Sequence, residues 1–364
     1  MKVDWVALTD FRSYQSLEWR PDPGVNVLLG PNGAGKTNLL EAICYLSSLR
    51  SFRSVADAAL IADGAETAVV RAGISSGDRE RLIEAELPRA GARRTQVDKT
   101  RLQRTADLLG VLRVIAFLPE DLDLVKRGPS FRRELLDAVA VQLWPAAYLD
   151  QSEFDRALRQ RNAFLKAGSR DDATLSVWDA RLAQSGGRVI ARRVRVIELL
   201  SSLLVTAYAD IAGRDEEASI GYVASWGDQE TQDGTAPDFT DAILEALERS
   251  RRADYERRLT SVGPHRDEPV FRIDRTDTRS HGSQGEQRTM ALAVKLAAHR
   301  AVADVVGEPP VLLLDDVFSE LDTDRARALA KALPPGTQTL ITSARPEDVP
   351  VEGSVWRVDD GVHR

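Results

Sequence analysis

The 364-residue chain has very few cysteines and histidines. Its one cysteine, Cys44, excludes an internal disulfide and fits a reducing compartment. We expect Cys44 to be a packing residue beside Ile43 and Leu46, because buried thiols behave as small apolar side chains. With four histidines and one cysteine, the chain shows no spacing typical of a structural zinc site.

Long apolar segments are also missing. A membrane-spanning helix needs roughly 18 consecutive apolar residues, and the most apolar segment, residues 194–211, is interrupted by Arg195 and Glu198. The first residues lack the apolar core of a secretory signal. We therefore expect a cytoplasmic protein without a membrane partner.

The net charge of −7 argues by itself against a nucleic-acid partner. A cluster of basic residues is usually a solvated helix face, but several clusters on one surface would contact nucleic-acid phosphates. Both interpretations stay open for the local basic groups, which are Arg50 and Arg53; Arg93, Arg94, Lys99, Arg101 and Arg104; Lys126, Arg127, Arg132 and Arg133; Arg188, Arg192, Arg193 and Arg195; Arg251, Arg252, Arg257 and Arg258.

Residues 30–37 match the G-x-x-x-x-G-K-[ST] phosphate loop at every defined position. An apolar strand pattern precedes them and a helical pattern follows, so backbone N–H groups and the helix N-terminus can surround a phosphate. Lys36 is expected to reach the β- and γ-phosphate oxygens, and Thr37 to bind Mg²⁺. The predicted cofactors are ATP and Mg²⁺, and the predicted nucleotide-binding residues are Gly30, Pro31, Asn32, Gly33, Ala34, Gly35, Lys36 and Thr37.

A second motif, which is acidic, follows the apolar run of residues 311–314. Asp315 is placed to hold Mg²⁺, usually through water, and Asp316 to orient or deprotonate the attacking water. Paired aspartates can alternatively cap a helix or form a turn, although the preceding apolar run favours the catalytic interpretation. Because aspartate is shorter than glutamate, the base at position 316 would stand farther back, and we expect slow hydrolysis.

Residues 283–287, Ser-Gln-Gly-Glu-Gln, open a further helical pattern. A helix start rich in serine and glycine offers free N–H groups and a hydroxyl to an anion. The same residues also fit a capping box formed by Ser283 and Glu286. Taken alone the two interpretations are about even, and the presence of the other two motifs favours the anion site.

The two nucleotide motifs lie 315 − 36 = 279 residues apart. A largely helical insert between them predicts two lobes. Lobe I comprises residues 1–125 and 262–364, with an antiparallel segment around 67–100, and lobe II comprises residues 126–261. Within lobe II, residues 175–211 contain Gly186 and Gly187, so they form either a short protruding arm or two helices that meet at the glycines.

Together, the motifs resemble the head domain of ABC/SMC-type ATPases and, within that group, the RecF family. The segments that carry the closer resemblance are residues 8–14, 117–122, 128–137, 261–267 and 314–322. The resemblance implies an α/β phosphate-loop ATPase head with a mixed sheet in lobe I and an inserted helical lobe II. Long coiled coils, as in SMC proteins, do not fit into 364 residues.

The resemblance also implies a function. Ser283, Gly285 and Gln287 would complete the nucleotide site of a second copy, with Arg12 and Asp322 as further nucleotide-binding residues and Lys36, Asp316 and Ser283 as catalytic residues. ATP would then drive homodimerisation into a DNA clamp at gaps and single-strand/double-strand junctions. The implied activity is a weak, DNA-stimulated ATPase that helps recombination mediator proteins to load recombinase, with roles in replication restart and SOS induction.

Two departures limit the transfer. Where transporter ATPases have a switch histidine, residues 342–345 are Thr-Ser-Ala-Arg, and no glutamine clearly follows the strand ending at Phe117, so the Q-loop residue is unassigned. Three alternatives stand beside this interpretation. The first is an ATP-binding scaffold without useful turnover. The second is the ATPase subunit of a membrane transporter, which the missing switch histidine argues against, and the third is a nuclease-associated SMC-like head, which the lack of a long coiled coil argues against.

Overall fold

The computed structural model describes residues 1–168, 170–214, 216–227, 230–231, 234–359 and 361–364. The chain forms two compact units: unit 1 comprises Met1–Leu122, Ala209–Arg214 and Leu292–Arg364, and unit 2 comprises Asp123–Tyr208 and Asp215–Ala291. The first division comes close to the predicted end of lobe I at residue 125. The boundary at which the chain returns to unit 1 comes after Ala291, whereas the predicted return to lobe I comes after residue 261. The division into lobes stays a prediction.

Fifteen strands are found in the described residues. They are β1 (Lys2–Phe11), β2 (Tyr14–Trp19), β3 (Val25–Leu29), β4 (Thr67–Ser76), β5 (Arg79–Pro88), β6 (Arg94–Val97), β7 (Thr100–Arg101), β8 (Val114–Phe117), β9 (Ala218–Val223), β10 (Glu268–Ile273), β11 (Thr276–Asp277), β12 (Val311–Asp315), β13 (Thr339–Ser343), β14 (Ser354–Val358) and β15 (Val362–His363).

The described residues also form eight α-helices and several short 3₁₀ turns. The helices are α1 (Lys36–Ser48), α2 (Pro129–Leu143), α3 (Ala147–Ala167), α4 (Asp172–Ala212), α5 (Ala236–Arg257), α6 (Thr278–His281), α7 (Gln284–Val306) and α8 (Thr323–Ala332).

A mixed six-stranded sheet forms the centre of unit 1, in the order β15-β14-β3-β13-β12-β8. All neighbouring pairs from β14 to β8 are parallel, and β15 pairs antiparallel with β14. Strand β13 lies between β3 and β12, with Thr342 opposite Leu28 on one side and Asp315 on the other. The carboxyl ends of these strands therefore meet at one edge of the sheet, where α/β proteins bind their ligands.

The second sheet of unit 1 is antiparallel, in the order β2-β1-β4-β5-β6-β7, and it includes the segment in which alternation predicts antiparallel strands. Its apolar face shares one core with α1, including Val70, Ile83, Leu40 and Ile43. Cys44 packs against this core, and burial raises the pKa of its thiol to about 11. This placement agrees with a packing residue.

Helix α4, most of which belongs to unit 2, is a single helix of 41 residues that continues through Gly186 and Gly187. The glycines allow α5 to approach closely. A Cβ on Gly187 would lie 2.4 Å from Thr240 Oγ1 and 2.5 Å from the carbonyl oxygen of Ala236. The glycines thus mark a helix contact, and the alternative of two helices meeting there was wrong.

Unit 2 also contains a three-stranded sheet in the order β11-β10-β9. Strand β9 lies within residues 126–261, which the sequence predicts to be largely helical. In β9, the buried apolar residues that alternate along the strand are Ala218, Ile220 and Tyr222. An alternation of only three apolar residues is a weak sequence signal for a strand. No helix in the described ranges is long and apolar enough to cross a membrane.

We expect Gly187→Ala to destabilise the protein by about 1–3 kcal/mol, the usual cost of forcing extra atoms into a packed interior. Helix propensity alone would predict the opposite, since alanine is favoured over glycine by about 1 kcal/mol in a helix. Chemical denaturation measures the difference. Gln184→Ala, at an exposed position of the same helix, is the control and should change stability by less than about 0.5 kcal/mol. A Gly187→Ala variant as stable as the parent would contradict the close contact.

Candidate nucleotide-binding site

The phosphate loop joins the carboxyl end of β3 to α1 in unit 1. Gly30 lies so close to β14 that a Cβ there would be 2.2 Å from the carbonyl oxygen of Val358. Gly35 precedes α1 with φ of 100°, a conformation that glycine adopts without a steric penalty. At Gly33, no described atom outside residues 32–34 lies within 4 Å of the position that a Cβ would take. The loop is therefore packed on the strand side and open at Gly33.

Lys36 folds its side chain over the loop. Its Nζ donates to the carbonyl oxygens of Gly30 at 2.7 Å and Pro31 at 2.9 Å. Burial lowers the pKa of Lys36, while the charges of Asp316 and Asp315 oppose this shift. A desolvated ammonium group gains when more negative charge approaches, and a terminal phosphate would supply that charge.

Asp315 ends β12 and is only 5% exposed. Its Oδ1 accepts hydrogen bonds from Thr37 Oγ1 and from Thr342 Oγ1, each at 2.8 Å. Burial raises the pKa of Asp315, and the two hydroxyls and the charge of Arg53 oppose this shift. Since Mg²⁺ prefers oxygen ligands, the hydroxyl of Thr37 and the carboxylate of Asp315 fit such an ion, and they are the residues that would hold it.

Asp316 follows with φ of 50°, which is uncommon for a residue other than glycine. Its backbone N–H donates to Thr342 Oγ1 at 2.9 Å. Among the described residues, its buried Oδ1 has no hydrogen-bond partner. A carboxylate oxygen with free acceptor capacity can take a proton from a water molecule, so the geometry is compatible with the predicted base.

Thr342 is a residue of this site that sequence reasoning missed. Its hydroxyl donates to Asp315 and accepts from the N–H of Asp316, so that one side chain positions both aspartates. In the sequence, the segment stands out only because it lacks a histidine. The available signal was a hydroxyl residue near the carboxyl end of β13, beside the predicted acidic strand.

Arg12, a predicted nucleotide-binding residue, is held by protein groups. Its Nε and Nη2 donate to the two carboxylate oxygens of Glu41 at 2.8 and 2.9 Å, and its Nη1 donates to the carbonyl oxygen of Ala59 at 2.8 Å. Glu41 is fully buried and also accepts from Ser51 Oγ and from Arg53. Glu41 therefore gathers two arginines close to the first turn of α1.

A cleft of about 420 Å³ opens beside the phosphate loop. The hydroxyl of Tyr14 is buried without a hydrogen-bond partner among the described residues, and burial raises the pKa of Tyr14 to about 12. This volume lies within the range of ligand pockets, about 300–1,000 Å³, and the polar lining could take the nucleoside part of a nucleotide. The lining residues are Ser13, Tyr14, Gln15, Ser16, Gly33, Ala34 and Asp359.

The residues 283–287 lie in unit 2, at the start of α7. The N–H of Glu286 donates to Ser283 Oγ at 3.2 Å, and the N–H of Ser283 donates to Glu286 Oε2 at 2.7 Å. The capping box is therefore present. Because the hydroxyl of Ser283 serves only as an acceptor in it, its own hydrogen can still be donated to an anion, and the two interpretations are compatible.

Gly285 and Gln287 are both half-buried. Gln287 is engaged with the turn before the helix, because its Nε2 donates to the carbonyl oxygens of Thr278, Arg279 and Gly282 at 3.1–3.3 Å. The amide thus fixes the shape of this turn. A direct nucleotide contact by Gln287 stays a prediction.

Asp322 lies in unit 1 and caps α8. It accepts from the N–H of Arg325 at 2.9 Å and pairs with the guanidinium group of the same residue. This cap explains an aspartate at position 322, and its predicted nucleotide contact stays a prediction.

The basic groups contain both buried arginines in ion pairs and exposed cations. Arg132 and Arg193 are 2% and 5% exposed and pair with Glu268 and Asp137, so they are structural. Exposed cations of the same groups, which a nucleic acid could reach, include Lys99, Arg101, Lys126 and Arg257.

Comparison with known proteins agrees with this architecture. The family model described as "RecF/RecN/SMC N terminal domain" matches residues 2–359. A protein of Acidothermus cellulolyticus is 40% identical over 357 residues, which cover 96% of each chain. A protein of Frankia alni is 41% identical over 364 residues, which cover 97% of this chain and 96% of the relative. Both relatives are named "DNA replication and repair protein RecF".

Solved structures give the same result. One described as RecF-ATPrS, a recombination mediator protein in the RecFOR pathway, superposes with a TM-score of 0.91 at 32% identity, covering 100% of this chain and 97% of the other. Its RecF-ATP counterpart gives 0.87 at 33% identity, covering 99% and 98%. An SMC head bound to a domain of ScpA, at 15% identity and a TM-score of 0.60, shares the fold.

The predicted fold, an α/β phosphate-loop ATPase head, is therefore confirmed. With a family model over nearly the whole chain and relatives of about 40% identity along it, the chain belongs to the RecF family.

Proposed function

We propose that this protein is an ATP-dependent DNA-binding protein of recombinational repair and replication restart. The observation that carries the proposal is the sharing of Asp315 Oδ1 by the hydroxyls of Thr37 and Thr342, within electrostatic reach of Lys36. This arrangement provides a cation for the terminal phosphates and oxygen ligands for Mg²⁺. The RecF structures described with ATP or ATPrS support ATP as the nucleotide.

In the proposed site, backbone N–H groups of residues 30–37 and the ammonium group of Lys36 bind the β- and γ-phosphates. Thr37 and Asp315 would hold Mg²⁺, which when bound would neutralise charge on the phosphates. Asp316 accepts the proton of the water that attacks the γ-phosphorus, while the bond from that phosphorus to the ADP oxygen breaks. The cleft beside Tyr14 takes the nucleoside.

ATP also joins two copies of the chain in this proposal. The γ-phosphate bound by Lys36 of one copy is offered to Ser283 and Gly285 of the other, with Arg12 and Asp322 supporting the nucleotide. A ligand that binds the dimer better than the monomer shifts the equilibrium toward the dimer. The free hydroxyl hydrogen of Ser283 and its exposed position support this role.

The closed dimer is proposed to grip DNA at gaps and single-strand/double-strand junctions, and slow, DNA-stimulated hydrolysis releases it. In the cytoplasm it would act with recombination mediator proteins to load recombinase and induce the SOS response. Supporting this, relatives are named for DNA replication and repair, and a solved relative is described as a recombination mediator in the RecFOR pathway.

We expect Asp315→Asn to raise the melting temperature of the nucleotide-free protein at neutral pH and to abolish the further rise caused by ATP with Mg²⁺. Burial raises the pKa of Asp315 above its ordinary value of 3.8. The folded state therefore binds the proton more tightly, so stability falls as the pH rises from the ordinary pKa through the folded one. Because asparagine carries no charge, the variant should not lose stability in this way as the pH rises.

Thermal melts at several pH values, with and without ATP and Mg²⁺, measure both effects of Asp315→Asn, and the difference from the parent should shrink at low pH. Asp324→Asn, at an exposed side chain of α8, is the control. An ATP- and Mg²⁺-dependent shift that persists in Asp315→Asn would contradict the metal role.

Ser283→Arg should leave ATP binding intact and abolish ATP-dependent dimerisation, because the larger cation blocks the approach of a second nucleotide site. Sedimentation with ATP and Mg²⁺ measures the dimer, and nucleotide titration measures binding. Ser202→Arg, an exposed serine of α4, should still dimerise. A Ser283→Arg protein that dimerises normally with ATP would contradict the proposal that two copies share the nucleotide site.

Asp316→Asn should bind ATP and dimerise but lower the hydrolysis rate by about 10²–10⁴-fold, the usual contribution of a positioned general base. Its complex with a gapped duplex should therefore persist longer than that of the parent. Phosphate release and the lifetime of the DNA complex are measured together, and duplex and single-stranded DNA serve as reference substrates. If hydrolysis and lifetime were both unchanged, the ATP-binding scaffold would be the better description.

A further inference from the structure

Helix α3 and the first half of α4 form an antiparallel hairpin within unit 2. Near the turn, Arg161 Nε donates to Asp179 Oδ1 at 2.7 Å, and both side chains are almost fully buried. Farther from the turn, Arg188 of α4 pairs with Glu153 and, at 2.7 Å, with Asp150, both on α3. These ion pairs fix which residues of the two helices lie side by side.

One flank of this hairpin carries aromatic and basic side chains together. Side chains three or four residues apart lie on the same face of a helix, so the face of α3 that holds Glu153 runs toward the turn beside the face of α4 that holds Arg188. The residues that continue the two faces at this spacing are Arg156, Gln160 and Phe164 of α3 and Gln184, Arg181 and Trp178 of α4. The two aromatic rings are half-buried and the other four side chains are exposed. We call these six residues the hairpin flank.

The arginine of α4 in the hairpin flank already lies over an aromatic ring. The guanidinium carbon of Arg181 is 5.4 Å from the centre of the Trp178 ring, which is within the range of a cation–π contact. Farther along α4, Arg192 lies at the same distance from Trp144, but Asp150 engages its charge at 3.5 Å. Among the described residues, no carboxylate pairs with Arg181. Its charge therefore stays available to an anion.

The hairpin is basic although the whole chain is acidic. Residues 154–182 contain six basic and four acidic residues, whereas the net charge of the chain is −7. Asp171 caps α4, and Asp172 accepts from the hydroxyl of Tyr255. Asp179 is buried in its pair with Arg161. The exposed basic side chains of the hairpin that form no ion pair with a described residue are Arg156, Arg159, Lys166, Arg170 and Arg181.

The combination of exposed cations and aromatic rings selects among polyanions. Single-stranded DNA offers both phosphates for the arginines and unstacked bases for the rings, and base–aromatic stacking tolerates any base. In a duplex the bases stack on one another, so only the phosphates would be used. An acidic peptide would likewise match the charge and leave the rings without partners.

We propose that the hairpin flank binds single-stranded DNA, with Arg156 and Arg181 contacting phosphates and Phe164 and Trp178 stacking on bases. This inference rests on the proposed DNA binding of the protein. It assigns the single-stranded part of a gap or junction to helices α3 and α4.

Titration of the full-length chain, with ATP and Mg²⁺, into a labelled oligothymidylate and a blunt duplex at several salt concentrations tests the inference. For the single strand, the double variant Arg156→Gln/Arg181→Gln should flatten the slope of log affinity against log salt by about 1.4, because each phosphate contact contributes about 0.7. Trp178→Leu should weaken single-strand binding about tenfold, the effect of one lost stacking contact. It should leave the salt slope and the duplex affinity unchanged.

Arg195→Gln is the matched control, because it removes an exposed arginine of α4 that pairs with Glu198, and it should change neither slope nor affinity. An unchanged salt slope in the double arginine variant would overturn the inference, and this result decides alone should Trp178→Leu fail to fold. Equal weakening of single-strand and duplex binding by Trp178→Leu would overturn it as well, since paired bases offer no face for stacking. A parent protein that binds neither DNA would instead refute the proposed DNA binding itself.

Discussion

The geometry of the candidate nucleotide site depends on one buried carboxylate. Asp315 must remain at the end of β12, almost excluded from water, although burial disfavours its charge. Two hydroxyls make this tolerable, one from Thr37 on the phosphate loop and one from Thr342 on β13. Since buried charges require hydrogen-bond partners, the three residues constrain one another, and through them β12, β13 and α1 keep a fixed register.

The hydrogen bonds of Thr342 also fix the geometry of the acidic pair, Asp315 and Asp316. Thr342 donates to Asp315 with its hydroxyl hydrogen and accepts from the N–H of Asp316 with its oxygen. Asp316 is thereby turned into a backbone conformation that non-glycine residues seldom adopt. Strain of this kind persists only when neighbouring contacts impose it. In this structure, therefore, a threonine fixes the geometry of the acidic pair.

Unit 2 has a buried polar network of its own, around the segment 261–267. Asp267 accepts from the hydroxyl of Tyr222 at 2.6 Å and from the N–H of Ser225 at 2.8 Å, and Arg193 donates to the carbonyl oxygen of Pro264 at 2.6 Å. Burial raises the pKa of Asp267. The network fixes the start of β10, which leads through β11 and α6 to Ser283. The segment 261–267 therefore has a structural role in unit 2.

Local sequence was sufficient for the motifs and the fold class. The phosphate loop, the acidic strand and the helix start at Ser283 each consist of neighbouring residues, whose chemistry depends on spacing along the chain. Tertiary structure was needed wherever partners are distant in sequence. Thr342 joins Asp315 across a strand pair, Glu41 collects Arg12 and Arg53 from both flanks of α1, and Gly187 meets α5 within unit 2. Residue types at such positions carry no local signal, because the packing of β-strands and helices, rather than spacing, brings them together.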